Sequence, residues 1–388
     1  MFFLPPVPHF LRFMFLIPTP FRPDLRAGNP GFCRAPARPR FLRERLLASR
    51  RSAGFGGGRF LRSLGAVVQG VLLFSAGLFT RAGDSAPPPS LTAHFCVTGD
   101  SRGDGKKSRI NGPVAQKLVA ALKAEKPDFV VVNGDLVSGR SGRLEEQLRA
   151  WRELFMAPLL EAGIPVYACR GNHDQSFGDD KPPRHETSLD VWNRVFSGRF
   201  AFPPNGPSKE KNVTYFVRRG PVLLLVMDNY AKSQSHRVNT SWMEAVLKYH
   251  HGEKPLHVFA AAHEPAFSVG HKDCLASHKR RRDKFLRLFL TAGGRCYLCG
   301  HDHFYDHAKV VLPEGEFHQF ICGTAGAPLR DWKGKYRESR VRGVKHEKCF
   351  GYLDVHVRGP RATLAFKGWN DQGRLTTRDE FSYTLKTP

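Results

Sequence analysis

Five short apolar runs in this chain each end in a polar turn, and that repeated junction is what most restricts the fold. HFCVT (94–98) leads into Gly99-Asp100, FVVVN (129–133) into Gly134-Asp135, and PVYACR (165–170) into Gly171-Asn172-His173-Asp174. LHVFAAA (256–262) leads into His263, and RCYLC (295–299) into Gly300-His301-Asp302-His303. Unbroken Val, Ala and Leu over such lengths is the pattern of strands buried on both faces. Between the first three runs, 113–125 and 144–162 place apolar residues at helical spacing, so the chain opens strand, helix, strand, helix, strand. That alternation predicts a layered α/β fold. Further strands are expected at 215–219, 222–228, 317–322, 352–357 and 362–366, the last two as a hairpin. No internal repeat and no second domain is evident.

In open α/β sheets ligands gather beyond the carboxyl ends of the strands, where loops converge and backbone groups are free. All five turns hold that position. Glycine followed by a polar residue is ordinary turn chemistry, and a lone histidine is more often structural than a ligand. Turn formation alone does not explain five such turns presenting Asp, Asp, Asn, His, His and His, and the set points to a metal site.

Gly99-Asp100, Gly134-Asp135, Gly171-Asn172-His173-Asp174, His263 and Gly300-His301-Asp302-His303 resemble, in order and spacing over residues 94–303, the motifs of the calcineurin-like metallophosphoesterase family. The resemblance implies a four-layer αββα sandwich of two sheets flanked by helices, with two divalent metal ions. Carried over position by position, it makes Asp135 the carboxylate that bridges both metals. Asp100 and His303 would bind the first, and Asn172, His263 and His301 the second. Mixed oxygen and imidazole donors suit Mn, Fe, Zn or Co and do not separate them. Two ions about 3.5–4 Å apart clamp phosphate oxygens and lower the pKa of bound water towards about 7. The expected function is therefore hydrolysis of a small phosphomonoester or phosphodiester by a metal-bound hydroxide. His173 matches a non-ligand position and is expected to give a proton to the leaving oxygen or to stabilise the phosphoryl oxygens. Asp174 either orients His173 or caps a helix.

The first motif departs from the family. Many relatives have Asp-x-His, whereas this chain has Asp100-Ser101-Arg102, and a guanidinium has no lone pair for a metal. Purple acid phosphatases also lack that histidine but carry a tyrosine ligand at the place of Ser138. The first metal is left with Asp100, Asp135 and His303 unless water or Asp104 completes it. Arg102 either binds the substrate phosphate, which its planar fork suits, or forms a surface salt bridge. Lys279-Arg280-Arg281-Arg282 opens the helix before the last motif and either steers anions or marks a solvated face.

The net charge of +25 suggests nucleic acid until it is divided. Residues 1–90 hold 13 Arg, no Lys and 3 acids, a net +10, and the remainder carries +15 on mixed Lys, Arg and acids. The expected organisation is a basic Pro/Arg/Phe-rich leader at 1–63, disordered or not translated. A signal-peptide core or membrane anchor at 64–80 and a linker at 81–92 follow, then a metallophosphoesterase domain at 93–370 and a tail at 371–388. The uncharged run 64–79 is short of the roughly 20 residues a span needs. Export to the periplasm or the extracellular space is expected, with membrane contact only through 64–80. Cys33 lies in the leader and seven cysteines follow, so at least one has no partner within the domain. Cys296 and Cys299 form a C-x-x-C that reads as buried small hydrophobes rather than a zinc or redox pair.

Two other functions compete. A binding or scaffold protein with an impaired metal site is conceivable from Arg102, although retention of His173 speaks against it. A nuclease draws on the basic surface and ranks below a small-molecule esterase. Substrate selectivity would come from 175–214 and 264–278, which carry no motif with a chemical reading.

Overall fold

The computed structural model describes residues 91–105, 109–139, 143–176, 185–231, 235–254, 256–332 and 335–386. The leader at 1–63, the apolar segment at 64–80 and nearly all of the 81–92 linker lie outside them. Among the described residues no helix is long and apolar enough to cross a membrane.

The apolar runs become β1 (Thr92–Thr98), β2 (Phe129–Val132) and β3 (Val166–Ala168), with α1 (Gly112–Glu125) between the first two. These strands pair in parallel, β1 to β2 and β2 to β3. The helix expected at 144–162 runs as α2 (Leu144–Trp151), a widened π turn (Arg152–Met156) and α3 (Ala157–Glu161). Pro158 explains the break, since its ring clashes with the carbonyl four residues back and it has no N–H to donate. After α4 (Ser188–Val195) come β4 (Tyr215–Arg219), β5 (Val222–Val226), α5 (Thr240–Tyr249), β6 (His257–Ala261), α6 (Lys279–Thr291) and β7 (Cys296–Cys299). The chain ends through β8 (Tyr305–Leu312), β9 (Gly315–Cys322), β10 (Val341–Glu347), β11 (Gly351–Arg358), β12 (Arg361–Trp369) and β13 (Leu375–Thr384).

Two sheets result, ordered β13-β12-β11-β1-β2-β3 and β10-β8-β9-β7-β6-β5-β4. Strand alternation shows how they stack. Val222, Leu224 and Val226 of β5, with Phe259 and Ala261 of β6, pack into the core shared with the first sheet. Leu223, Leu225, Val258 and Ala260 face the other way, onto Met243 of α5 and Phe285, Leu286 and Phe289 of α6. The edge-on contact of Phe95 with Phe259, 5.2 Å between centroids, crosses the two sheets. On the first sheet, α1 buries Ala115, Leu118, Val119 and Leu122.

Two expectations need correction. The presumed tail forms edge strand β13, whose Phe381 and Tyr383 pack against the core. Its Asp379 accepts hydrogen bonds from Tyr305 Oη and His307 Nδ1, both at 2.7 Å, which ties it to the other sheet. Of the basic run opening α6, Lys279, Arg280 and Arg281 are exposed but Arg282 is buried. Its guanidinium pairs with Glu338 at 2.5 Å and lies over the Phe267 ring. Arg282→Ala should lower unfolding free energy by about 3 kcal/mol in urea melts, the lower end for a broken buried pair because Glu338 keeps Arg340. A change within about 0.5 kcal/mol would mean the pair is energetically silent. The seven described cysteines are all unpaired. Cys296 and Cys299 are three apart on one strand and point to opposite faces, which suits two separate buried hydrophobes.

Candidate metal centre

Every sequence-predicted site residue arrives at one place, beyond the carboxyl ends of β1, β2, β3, β6 and β7. The turns are tight enough that Asp100, Asp135 and His301 take left-handed backbone angles, with φ of 58°, 50° and 72°. Such geometry costs about 1–3 kcal/mol at a non-glycine residue and persists only where the surroundings enforce it. Here they do: the Asp100 N–H donates to Gly134 O and the Arg102 N–H to Asp135 O, lacing the first two turns together. Trp151 Nε1 donates to Ser101 Oγ, which donates to Leu136 O, fixing the same junction from the helical side. Behind the third turn, Arg170 pairs with Asp228 at 2.7 Å and bolts β3 to the second sheet.

The donors fall into two groups around Asp135. Asn172 Oδ1 lies 3.1 Å from both His263 Nε2 and His301 Nδ1, which are 3.2 Å apart. Asp135 Oδ1 is 3.4 Å from His263 Nε2. The His263 Nδ1 faces Asn133 O at 2.7 Å, and because a carbonyl only accepts, that nitrogen carries the proton and Nε2 presents its lone pair to the group. On the other side, the ligand atoms of Asp100, Asp135 and His303 all lie within 4.8 Å of one another. The His303 Nδ1 donates to Pro328 O at 3.1 Å, so its Nε2 also turns a lone pair inward.

Burial governs the protonation states. It holds the His263 and His303 imidazoles down, to about 4 and about 3, so both are neutral, as ligation requires. Burial, then the negative Asp135, pushes the Asp100 carboxyl well up. At Asp135 burial is outweighed by His263, His173 and Arg102, and the carboxyl falls to about 2. The guanidinium of Arg102 is the one of these charges that does not depend on pH. Lone pairs from oxygen and imidazole that converge with no proton between them are what a divalent cation fits. Asn172, His263 and Asp135 pass that test, while at His301 burial is outweighed by Asp273 and Asp135, so its imidazole is shifted up and ion binding there would displace a proton.

The Asp100, Asp135 and His303 group is different, because Arg102 is there. Its side chain is 11% exposed, with Nε 3.4 Å from Asp135 Oδ2 and Nη2 3.4 Å from His303 Nε2. The alternative of a surface salt bridge is therefore corrected: both partners are buried. Asp104 is exposed and lines the same cavity. Ser138, at the place of the purple acid phosphatase tyrosine, turns its hydroxyl to Gln147 Oε1 at 3.3 Å.

His173 Nδ1 faces Ser138 O at 2.5 Å, leaving Nε2 on the cavity side, 3.9 Å from Asp135 Oδ2. Asp174 does neither task expected of it. Its carboxylate accepts the N–H groups of Val137 and Gly171, at 3.2 and 2.8 Å, and so joins the second and third turns. Burial and the nearby Asp135 raise it to about 7.

The cavity, of about 410 Å³, is lined by Arg102, Asp135, Asn172, His173, His301 and His303, together with residues that sequence reasoning gave no role. His271 Nδ1 donates to Asp302 Oδ1 and its Nε2 accepts from Arg330 Nη1, each at 2.7 Å. The His271 ring sits 4.5 Å from that of His301. Asp273 lies 3.7 Å from His301 Nε2. Asp302 was visible inside the last motif, but only its contacts with His271 and the Gly270 N–H give it a task.

Structural comparison places the chain near three proteins. The purple acid phosphatase PPD1 of yellow lupin (Lupinus luteus) seeds matches with a TM-score of 0.55 at 15% identity, over 77% of this chain and 55% of that one. PhoD matches at 0.53 and 11% identity over 76% and 70%, and Plasmodium GAP50, the anchor in the inner membrane complex, at 0.52 and 14% over 77% and 90%. The chain thus spans just over half of the lupin enzyme, and identities this low establish the fold alone. No curated protein sequence matches. The sequence model of the calcineurin-like phosphoesterases matches residues 95–305, more than half of the chain and all of the turns described above. The chain belongs to the calcineurin-like phosphoesterase family.

Proposed function

We propose that this protein hydrolyses a small phosphomonoester or phosphodiester with the help of divalent metal bound among the six donors above. The observation that carries the reading is the convergence of Asn172 Oδ1, His263 Nε2 and His301 Nδ1 beside ionised Asp135, at the wall of a polar cavity. Those four residues would hold one ion, drawn from Mn, Fe, Zn or Co, and Asp100, Asp135 and His303 form the other half of the donor set. When bound, divalent ions supply Lewis acidity and lower the pKa of coordinated water.

The remaining work falls to the protein. His173, anchored through Nδ1, turns Nε2 to the cavity, where a protonated imidazole can donate to the leaving oxygen. Arg330, braced by His271, and Arg102 present cationic donors to phosphoryl oxygens at the cavity wall. The position of Arg102 against two donors favours the scaffold reading, and the inward-facing Nε2 of His173 opposes it. A panel of p-nitrophenyl phosphate, bis-p-nitrophenyl phosphate and single-stranded DNA, run with each of the four metals, separates the functions. Turnover of either aryl ester is expected; cleavage of DNA alone would make the protein a nuclease, and inertness throughout would leave the scaffold.

Export is part of the proposal and rests on the apolar run 64–79 with small residues after it. The mature chain should begin between Ala76 and Ser90. N-terminal sequencing of natively produced protein checks this, and an intact leader in the cytosol would refute it.

A further inference from the structure

We propose that this centre takes a single divalent ion, and that the Arg102 guanidinium is the resident cation of the other half. The inference rests on the metal reading above. Its observation is the occupied donor set: two of the three residues that would hold the first metal, Asp135 and His303, face Arg102 at 3.4 Å each. The third, Asp100, accepts the His301 N–H on both oxygens, at 3.0 and 3.2 Å.

Arg102 is not a side chain that merely leans in. Its backbone N–H is bonded to Asp135 O, it forms an isolated bridge with Ile110, and Nη1 donates to Gly103 O at 3.1 Å. A guanidinium stays charged at any relevant pH and offers only donors. It therefore supplies the positive charge beside Asp135, and it repels a divalent ion brought to the same oxygens. The His303 Nε2 lone pair, directed inward by the Nδ1–H···O bond to Pro328, meets this guanidinium rather than open space.

The opposite half lacks such a substitute among its recorded contacts. Asn172 Oδ1, His263 Nε2 and His301 Nδ1 lie 3.1–3.2 Å from one another beside Asp135 Oδ1, and no guanidinium stands among them in the recorded contacts, so a cation can reach this donor set. The asymmetry comes from one residue, at the place where many relatives carry a ligating histidine. A phosphate oxygen in the cavity would then meet one metal ion and one guanidinium, a planar donor group where relatives place a second Lewis acid.

The test counts ions in the full-length chain, stripped with a chelator, reloaded with Mn²⁺ and dialysed. Elemental analysis should give one equivalent per chain, and electron paramagnetic resonance an isolated, uncoupled Mn²⁺ signal. Arg102→Ala and Arg102→His should each gain a second equivalent and an exchange-coupled signal, with histidine binding it more tightly. Two coupled ions in the parent would overturn the inference and leave the metal-dependent function standing. No bound ion would overturn both together. One ion in the parent and still one in both variants would show that Arg102 is not what excludes the second. The parent count stands by itself should either variant fail to fold.

Discussion

Asp135→Asn should empty the centre and abolish ester turnover. Asp135 faces both donor groups, with Oδ1 beside His263 and Oδ2 beside Arg102. An amide keeps its shape but not its charge, so the repulsion relieved by an anion among cations returns. Losing a mere partner of a metal ligand typically weakens binding 10–100-fold, and loss of the shared ligand itself should exceed about 100-fold. The fold should pay as well: Arg102 would be left buried without its carboxylate, a defect on the scale of 3–5 kcal/mol. Metal content after dialysis, together with circular dichroism to show that the protein is folded, reads the result. Full metal content with normal turnover would sink the assignment of the site.

His173→Ala should behave in the opposite way, keeping metal and losing rate. The imidazole turns Nε2 to the centre, 3.9 Å from Asp135, whereas its backbone N–H donates to Asp135 Oδ1 at 2.9 Å and survives the substitution. Asp174 still joins the neighbouring turns. A general acid contributes typically 10²–10⁴-fold, so kcat should fall by about that factor while metal content stays at the parent value. A large rise in KM with kcat intact would instead mean that His173 binds the ground state. Loss of metal would make it a ligand.

The legible parts of this molecule were those whose signal is local. β2, β5, β6 and β7 are buried on both faces, and their uninterrupted apolar residues announce them. The site was legible for the same reason, since each donor follows directly on such a strand. The strands that escaped notice are β8, β10 and β13, and all are marked by polar residues. β13 alternates exposed and half-buried positions at a sheet edge, and Asp379, which reads as a surface acid, is held by Tyr305 and His307 more than 70 residues away. His271, Asp273 and Arg330 could not be assigned from spacing, because their roles arise only where three loops meet. Arg102 was singled out, but the salt bridge expected at the surface is a buried one. Its ion pair with Asp135 joins two motifs, and no spacing within either one encodes it.

The central claim, that phosphoester hydrolysis here depends on metal held by these donors, is tested most directly by chelation and reloading of the full-length protein. Turnover of p-nitrophenyl phosphate and bis-p-nitrophenyl phosphate is followed before metal removal, after it, and on return of Mn²⁺, Fe²⁺, Zn²⁺ or Co²⁺. The account predicts that activity on at least one ester falls to background with the metal and recovers with at least one ion, and that Asp135→Asn does not recover with any. Turnover that persists unchanged in the metal-free protein would contradict it.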